Sequence, residues 1–336
     1  MELKSLLKHR TIWMAFAIIW LICYHAQFNL LPMPFDQIEN FGYLGVDIFL
    51  FASGIGCYYS LEKDSDILHF VKRRFNRLMP TYWCFIVIWI LFKLLTDGMQ
   101  YTEAIGNFLG IEFLVSSDSA FNWYISAIWI FYFLAPFFKL FTDRHKSNIV
   151  NILFVLILII FSIPFWFANI ELIFVSRLSV FYLGLCTARL GKEEFILSNK
   201  HCHLLIAASL VGCLLLAFNY RFYPERLLNG GLFWYPSILI VPGLCLIISL
   251  TSNKLSNKLS SKNIVNRFLN LIGNNTFELY LVHLFIYEGL AKYISGKYTA
   301  LICFAAIIPG CMLLKLVSKP VTSFIIRLEE KVSSLN

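Results

Sequence analysis

Three ionisable residues stand inside apolar stretches of this 336-residue chain: His25 late in the first, Asp47 early in the second within Gly45-Val46-Asp47, and Arg177 early in the sixth. An isolated charge at the centre of a membrane helix costs at least about 2.5–3.5 kcal/mol, so such groups pair with one another or line a wet cavity. Counting rise per residue from the expected outer ends of their helices, near Leu31, Phe41 and Leu172, puts all three roughly 8–9 Å below the outer boundary. One reading makes His25 a general base, with Asp47 and Arg177 shaping its pocket. The other makes Asp47 and Arg177 a structural ion pair and His25 a helix-packing residue.

A second group lies in the ninth stretch, where Thr276, Tyr280, His283 and Tyr287 follow an i, i+4, i+7, i+11 pattern and share one helix face. That face suits a substrate tunnel, or interhelical hydrogen bonding without chemistry. Asn275 and Glu278 have the spacing of a capping box, which makes Glu278 a helix-start device. A third group is cationic: Lys72, Arg73, Arg74 and Arg77 fall at helical spacings. Guanidinium forks grip phosphate oxygens, so the cluster suits a multiply phosphorylated ligand. It equally suits anionic lipid headgroups or a topology determinant.

The elements that position these groups are membrane helices. Apolar residues make up 59% of the chain, 33 of them Phe, more than a water-exposed surface tolerates. Ten runs reach the length that crosses a bilayer core of roughly 30 Å. They are Thr11 to Leu31, Phe41 to Leu61, Leu78 to Thr96, Phe121 to Phe141, Asn148 to Ala168, Leu172 to Leu190, Cys202 to Tyr220, Leu232 to Leu250, Asn275 to Ile294 and Tyr298 to Val317. All Lys and Arg but Lys93, Arg177, Arg221, Arg226, Lys292 and Lys297 then fall at the ends shared with the termini, while Asp36, Glu39, Glu103, Glu112, Asp118 and Glu171 line the other side. The positive-inside bias therefore makes both termini cytoplasmic.

That bias also accounts for the net charge of +8, so nucleic acid is not an expected partner. The first apolar segment is too long for a cleaved signal and reads as an anchor. The nine cysteines form no CxxC pair and read as small buried hydrophobes, with neither zinc nor disulfides expected. No repeat or soluble insertion interrupts the pattern, so residues 1–336 read as one all-α membrane domain. In the longest outward loop, Asp97 to Ala120, the stripe Ile105, Phe108, Leu109 and Phe113 fits a short interfacial helix or a plain connection.

In order along the chain, several pieces resemble the acyltransferase 3 family of integral-membrane acyltransferases. They are Ile22-Cys23-Tyr24-His25; Gly42 to Phe49 with Ser53-Gly54; Arg73 to Trp83; Trp123-Tyr124-Ile125-Ser126 running to Leu134-Ala135-Pro136; Ser176-Arg177-Leu178 with Phe181-Tyr182-Leu183-Gly184; and Gly273 to His283. The resemblance implies a ten-helix core that moves an acyl group, commonly acetyl, from cytoplasmic acyl-CoA to a hydroxyl of a surface polysaccharide or lipid-linked sugar. It makes His25 the catalytic histidine and Arg73, Arg74 and Arg77, with Lys72, the candidates for holding coenzyme A phosphates. One departure stands out: the Arg that many members carry eleven positions before this His is Met14 here, with Arg10 one turn earlier, and Arg10 receives no catalytic role.

Acyl transfer to an alcohol needs a base and donors for the tetrahedral oxyanion. The expected catalytic set is His25, Asp47, Arg177 and His283, with Arg177, Tyr280 and His283 as oxyanion candidates. Trp123, Tyr124, Glu278 and Tyr280 are the expected substrate contacts. Direct transfer and an acyl-His intermediate are both open. The expected partners are acyl-CoA, the sugar acceptor and membrane lipids, without a metal, in a bacterial cytoplasmic membrane. The competing reading is a glycan or lipid-carrier transporter, whose internal repeats and broken helices in matching halves the sequence does not display.

Overall fold

A computed structural model describes residues 2–26, 36–115, 123–167, 173–223, 235–258, 264–293 and 299–333. Among them the regular structure is helical, apart from one isolated bridge between Glu2 and Ile196. In chain order the first helices are α1 (Leu3–Leu7), α2 (Arg10–Ala26), α3 (Asp36–Asn40), α4 (Leu44–Lys63) and α5 (Ile67–Thr96). Next come α6 (Tyr101–Leu109), α7 (Glu112–Val115), α8 (Trp123–Arg144) and α9 (Asn148–Phe167). A 3-10 turn at Val175–Arg177 leads into α10 (Leu178–Lys192), followed by α11 (Asn199–Phe222), α12 (Tyr235–Lys258), α13 (Ile264–Asn274) and α14 (Thr276–Leu284). A π turn (Phe285–Gly289) and a 3-10 turn (Leu290–Tyr293) then precede α15 (Thr299–Ser333).

Seven of these helices are long and apolar enough to cross a membrane: α4, α5, α8, α9, α11, α12 and α15. The chain is an integral membrane protein. The other three expected stretches are helical where described but shorter, with 17 residues in α2, 15 in α10 and nine in α14. They are the three that carry His25, Arg177 and His283. The sixth and ninth are also interrupted, by the 3-10 entry to α10 and the π turn after α14, where unbroken helices were expected. The expected edges at Leu31, Phe121, Ala168, Leu172, Leu232, Ile294 and Tyr298 lie outside the described residues, as do Asp118, Ala120, Glu171, Arg226 and Lys297.

One further expectation needs correction, and one pair of alternatives is decided in favour of a helix. The third helix starts at Ile67 rather than Leu78, because Asp66 caps it by accepting a hydrogen bond from the His69 N–H at 2.9 Å. The basic run therefore lies within a 30-residue helix, about 45 Å long, that continues through Pro80. The loop expected on the outer side is helical between Tyr101 and Val115, in two pieces separated at Gly110, whose φ of +72° suits only glycine at low cost. Tyr82 donates from its hydroxyl to the Asn107 carbonyl, and Ser126 Oγ donates to Gly110 O at 2.7 Å. Trp83 donates to Phe108 O at 3.2 Å and stacks on its ring. Tyr101, Ile105 and Leu109 are left exposed, as an interfacial helix requires, whereas Phe113 is buried.

The chain divides into two compact units, and α2 and α8 each contribute residues to both. The first unit is Met1–Leu21, Gly42–Ser65 and Ile130–Asn274. Its centre is the contact of α4 with α10, where backbones touch because glycines face each other. A Cβ on Gly54 would lie 2.2 Å from Phe181 O, and one on Gly184 2.2 Å from Phe51 O. Small residues let membrane helices approach this closely. At one end of α4, Glu62 pairs with Lys139 and Lys192, and Lys139 also pairs with Asp143.

The second unit is Ile22–Phe41, Asp66–Trp129 and Asn275–Asn336. Here α5 packs against α14 and α15, and the π turn presents Phe285 to Phe85, Trp89 and Phe92.

Candidate active site

Within the second unit, His25 at the end of α2 meets His283 on α14, their rings edge to face with centroids 5.1 Å apart. His283 is fully buried. Its Nδ1 lies 3.2 Å from Leu279 O, and a carbonyl only accepts, so Nδ1 carries the proton and Nε2 keeps a lone pair. That Nε2 is buried without a hydrogen-bond partner, and so is the Tyr287 hydroxyl four residues on. Polar atoms left this way inside a packed unit are uncommon and need a reason. A site that awaits a polar substrate is one.

Aromatic rings complete the surroundings. Tyr280 lies 5.4 Å from the His283 ring and 4.9 Å from Tyr124, which in turn meets Trp123 at 5.9 Å. Tyr24 stands edge-on to His25 at 5.1 Å. The expected residues His25, His283, Tyr124, Tyr280 and Trp123 are thus brought into one linked cluster. The π turn directly after α14 inserts an extra residue, an irregularity frequent at functional sites.

Glu278, half-buried on α14, is not part of a capping box. Asn275 makes no side-chain cap bond, because its Oδ1 accepts from Lys315 Nζ at 2.5 Å. A charged donor outcompetes a backbone N–H for that oxygen.

Asp47 and Arg177 belong to the first unit and are each other's partners, with Arg177 Nε donating to Asp47 Oδ1 at 3.1 Å and both side chains almost fully buried. Asp47 sits in the first turn of α4, where the helix dipole favours a carboxylate. Arg177 ends the 3-10 turn that starts α10, so the pair ties together the two helices that touch at Gly54 and Gly184. Arg10, also in this unit, lies against Gly56.

The cationic group divides between faces of α5. Arg73 and Arg77 are exposed, while Arg74 is buried with its guanidinium 5.2 Å from the Phe70 ring. Lys72 lies 3.4 Å from Glu329 near the end of α15, and Asn76 donates to the same carboxylate at 2.8 Å. Nothing in the sequence marks Glu329, which is 253 residues from Asn76.

A second acid that sequence reasoning left among loop charges is Glu112 on α7. It is buried, and its carboxylate covers Gly106 so closely that a Cβ there would lie 1.9 Å from Oε2. The signal was available: Glu112 is the single acid in the apolar run from Phe108 to Val115. Burial, then the charge of Glu103, pushes this carboxyl above the usual range. A raised value in the folded protein means stability that is full below the ordinary Glu value of about 4.3 and is lost as pH rises through the folded value. Melting scans are therefore expected to show Glu112→Gln raising the neutral-pH melting temperature by a few degrees and flattening its rise on acidification. An unchanged slope would assign the pH dependence elsewhere.

Among the described residues no group of three or more His, Cys, Asp or Glu side chains converges to hold a metal ion, and none of the nine cysteines is in a disulfide. A family model described as an acyltransferase domain matches residues 15–316, nearly the whole chain. No curated protein and no solved structure gives a significant match.

Proposed function

Because the chain belongs to the acyltransferase 3 family and is a membrane acyltransferase, we propose that it moves an acyl group, acetyl in the simplest case, from cytoplasmic acyl-CoA to a hydroxyl of a surface polysaccharide or lipid-linked sugar. The membrane is the bacterial cytoplasmic membrane, with both termini cytoplasmic. The observation that carries this reading is the His25–His283 pair, whose buried Nε2 lone pair faces no protein donor.

In this reading His25 takes the proton of the acceptor hydroxyl as its oxygen attacks the thioester carbonyl. The carbonyl electrons move to oxygen, and their return expels the coenzyme A thiolate. His283 Nε2 accepts a hydrogen bond from the sugar and orients it. The Tyr287 hydroxyl, buried without a hydrogen-bond partner among the described residues, is the donor proposed for the oxyanion, with Tyr280 beside His283. Trp123 and Tyr124 offer aromatic faces to the acceptor, and Glu278 offers an acceptor for its remaining hydroxyls. A transporter for the same glycan or lipid carrier is the competing reading, and family membership supports the enzyme.

The phosphates of the donor fit the exposed Arg73 and Arg77, with Lys72 beside them. Hydrogen bonds to charged groups contribute about 1.5–3 kcal/mol each, so Arg73→Ala combined with Arg77→Ala is expected to weaken acyl-CoA binding by at least roughly tenfold. Calorimetry on the purified double variant measures this, and unchanged affinity would leave the cluster as a lipid or topology feature. The function itself is tested with radiolabelled acetyl-CoA and cell-envelope extract in nanodiscs, and by mass spectrometry of surface glycans with and without the protein. An acetyl-sized mass difference is expected. Its absence, together with the absence of label transfer, overturns the acetyl reading.

A further inference from the structure

The first unit contains a cavity of about 240 Å³ lined by none of the residues proposed above for acyl transfer. It lies between the short helix α1, which closes it with Leu3, Leu6 and Leu7, and side chains of α2, α4, α10, α11 and α12, including Trp13, Phe51 and Leu246. Four of the fifteen lining residues, Trp13, Thr187, His201 and Cys245, carry polar side-chain groups, and the Trp13 indole N–H is already donated to Ser249 Oγ at 2.8 Å. The Thr187 hydroxyl is already bonded to Leu183 O at 2.8 Å.

Space of this size is many times the roughly 10–15 Å³ that a single buried water needs. Water gains too few partners against apolar walls to fill it, and an empty cavity forfeits the dispersion contacts of its lining. A hydrocarbon segment satisfies both conditions.

The way in is lateral. Leu204 lines the cavity and is 66% exposed. It belongs to α11, a helix whose apolar side chains Leu210, Val211 and Leu214 are also exposed, so the mouth lies on a face that the bilayer solvates.

The rim is polar and carries one cation, Lys200. His201 lines the cavity from the first turn of α11, next to exposed Lys200 and His203. Its Nδ1 accepts the Ser198 backbone N–H at 3.2 Å in a capping box. The ring proton therefore sits on Nε2, which remains a donor. The helix N-terminus adds its own positive potential.

We propose that this cavity is a lipid site, holding one acyl chain of an anionic phospholipid from the surrounding bilayer with its phosphate at Lys200 and His201. Basic clusters at the cytoplasmic ends of membrane helices recognise such headgroups. The proposal is independent of the acyl-transfer reading.

The full chain in nanodiscs containing phosphatidylglycerol or phosphatidylcholine with a diazirine-bearing tail tests it, by irradiation and peptide mass spectrometry. Labels are expected in residues 3–7, 195–205 and 242–246, roughly five-fold more from phosphatidylglycerol. Leu246→Trp, and separately Leu6→Trp, should fill the cavity and remove this labelling, and Lys200→Ala with His201→Ala should remove the headgroup preference. Labelling spread over residues 210–215 without enrichment at the cavity overturns the site. So does labelling that survives in a folded tryptophan variant, and equal labelling from the two lipids overturns the anionic headgroup. If both tryptophan variants fail to fold, the wild-type label map alone decides.

Discussion

His25→Ala is expected to slow acyl transfer by about 10²–10⁴-fold, the range that a positioned general base supplies, while acyl-CoA affinity stays at the wild-type level. The two readouts separate because the proposed phosphate contacts are on the first turns of α5, whereas the imidazole acts on the incoming hydroxyl. His283, whose Nδ1 is held by Leu279 O, contributes an acceptor rather than the proton transfer itself. His283→Asn should therefore raise KM for the sugar more than it lowers kcat. Single-turnover transfer in reconstituted vesicles measures the first effect and a steady-state KM and kcat comparison the second. If His25→Ala keeps most of its transfer rate, the base assignment is lost. Equal kcat losses in the two variants would merge their roles.

Gly184→Leu is expected to prevent accumulation of folded protein. Its Cβ would lie 2.2 Å from the Phe51 carbonyl oxygen, with Phe51 C and Gly54 Cα each at 3.1 Å, so the obstacle is backbone and cannot rotate away. Overpacking of this kind costs about 1–3 kcal/mol or more. Forcing α4 from α10 also strains the Asp47–Arg177 pair, and breaking a buried pair costs about 3–5 kcal/mol. Together these approach the whole stability of about 5–15 kcal/mol that a typical domain has. Gly56→Ala is the control: its Cβ would meet only the end of the flexible Arg10 side chain, at 2.7 Å from Nη1, and it should fold. Yield of monodisperse protein and its melting temperature decide the matter, and a Gly184→Leu protein that melts like the wild type would mean that the helices do not meet here.

Run length made the apolar helices legible, because backbone groups in lipid have to be satisfied within the segment. It could not show that α5 begins eleven residues early, since Lys and Arg extend a helix without adding hydrophobicity. Nor could periodicity reveal the π turn after α14, which has the same residue types as regular helix. His25 and His283 could each be singled out as polar groups in apolar surroundings, yet their meeting depends on packing between segments distant in sequence. The basic cluster was legible as charge but not as geometry. Arg74 turns inward onto Phe70, and Lys72 finds Glu329, because neighbours on α5 point to different sides. Asn275 and Glu278 had correct capping-box spacing and still form none, since Lys315 from a distant helix takes the asparagine oxygen.

The Asp47–Arg177 pair also imposes a timetable on synthesis, because its members are 130 residues apart. At about 5–20 residues per second, α4 emerges from the ribosome roughly 7–26 s before its cation exists. Throughout that interval a carboxyl group has to be kept out of hydrocarbon by something other than its final partner: the insertion machinery, a headgroup, or delay of α4 at the membrane surface. The first unit accordingly closes late, when the sixth apolar stretch arrives, and until then α4 is a segment that cellular quality control can recognise and remove.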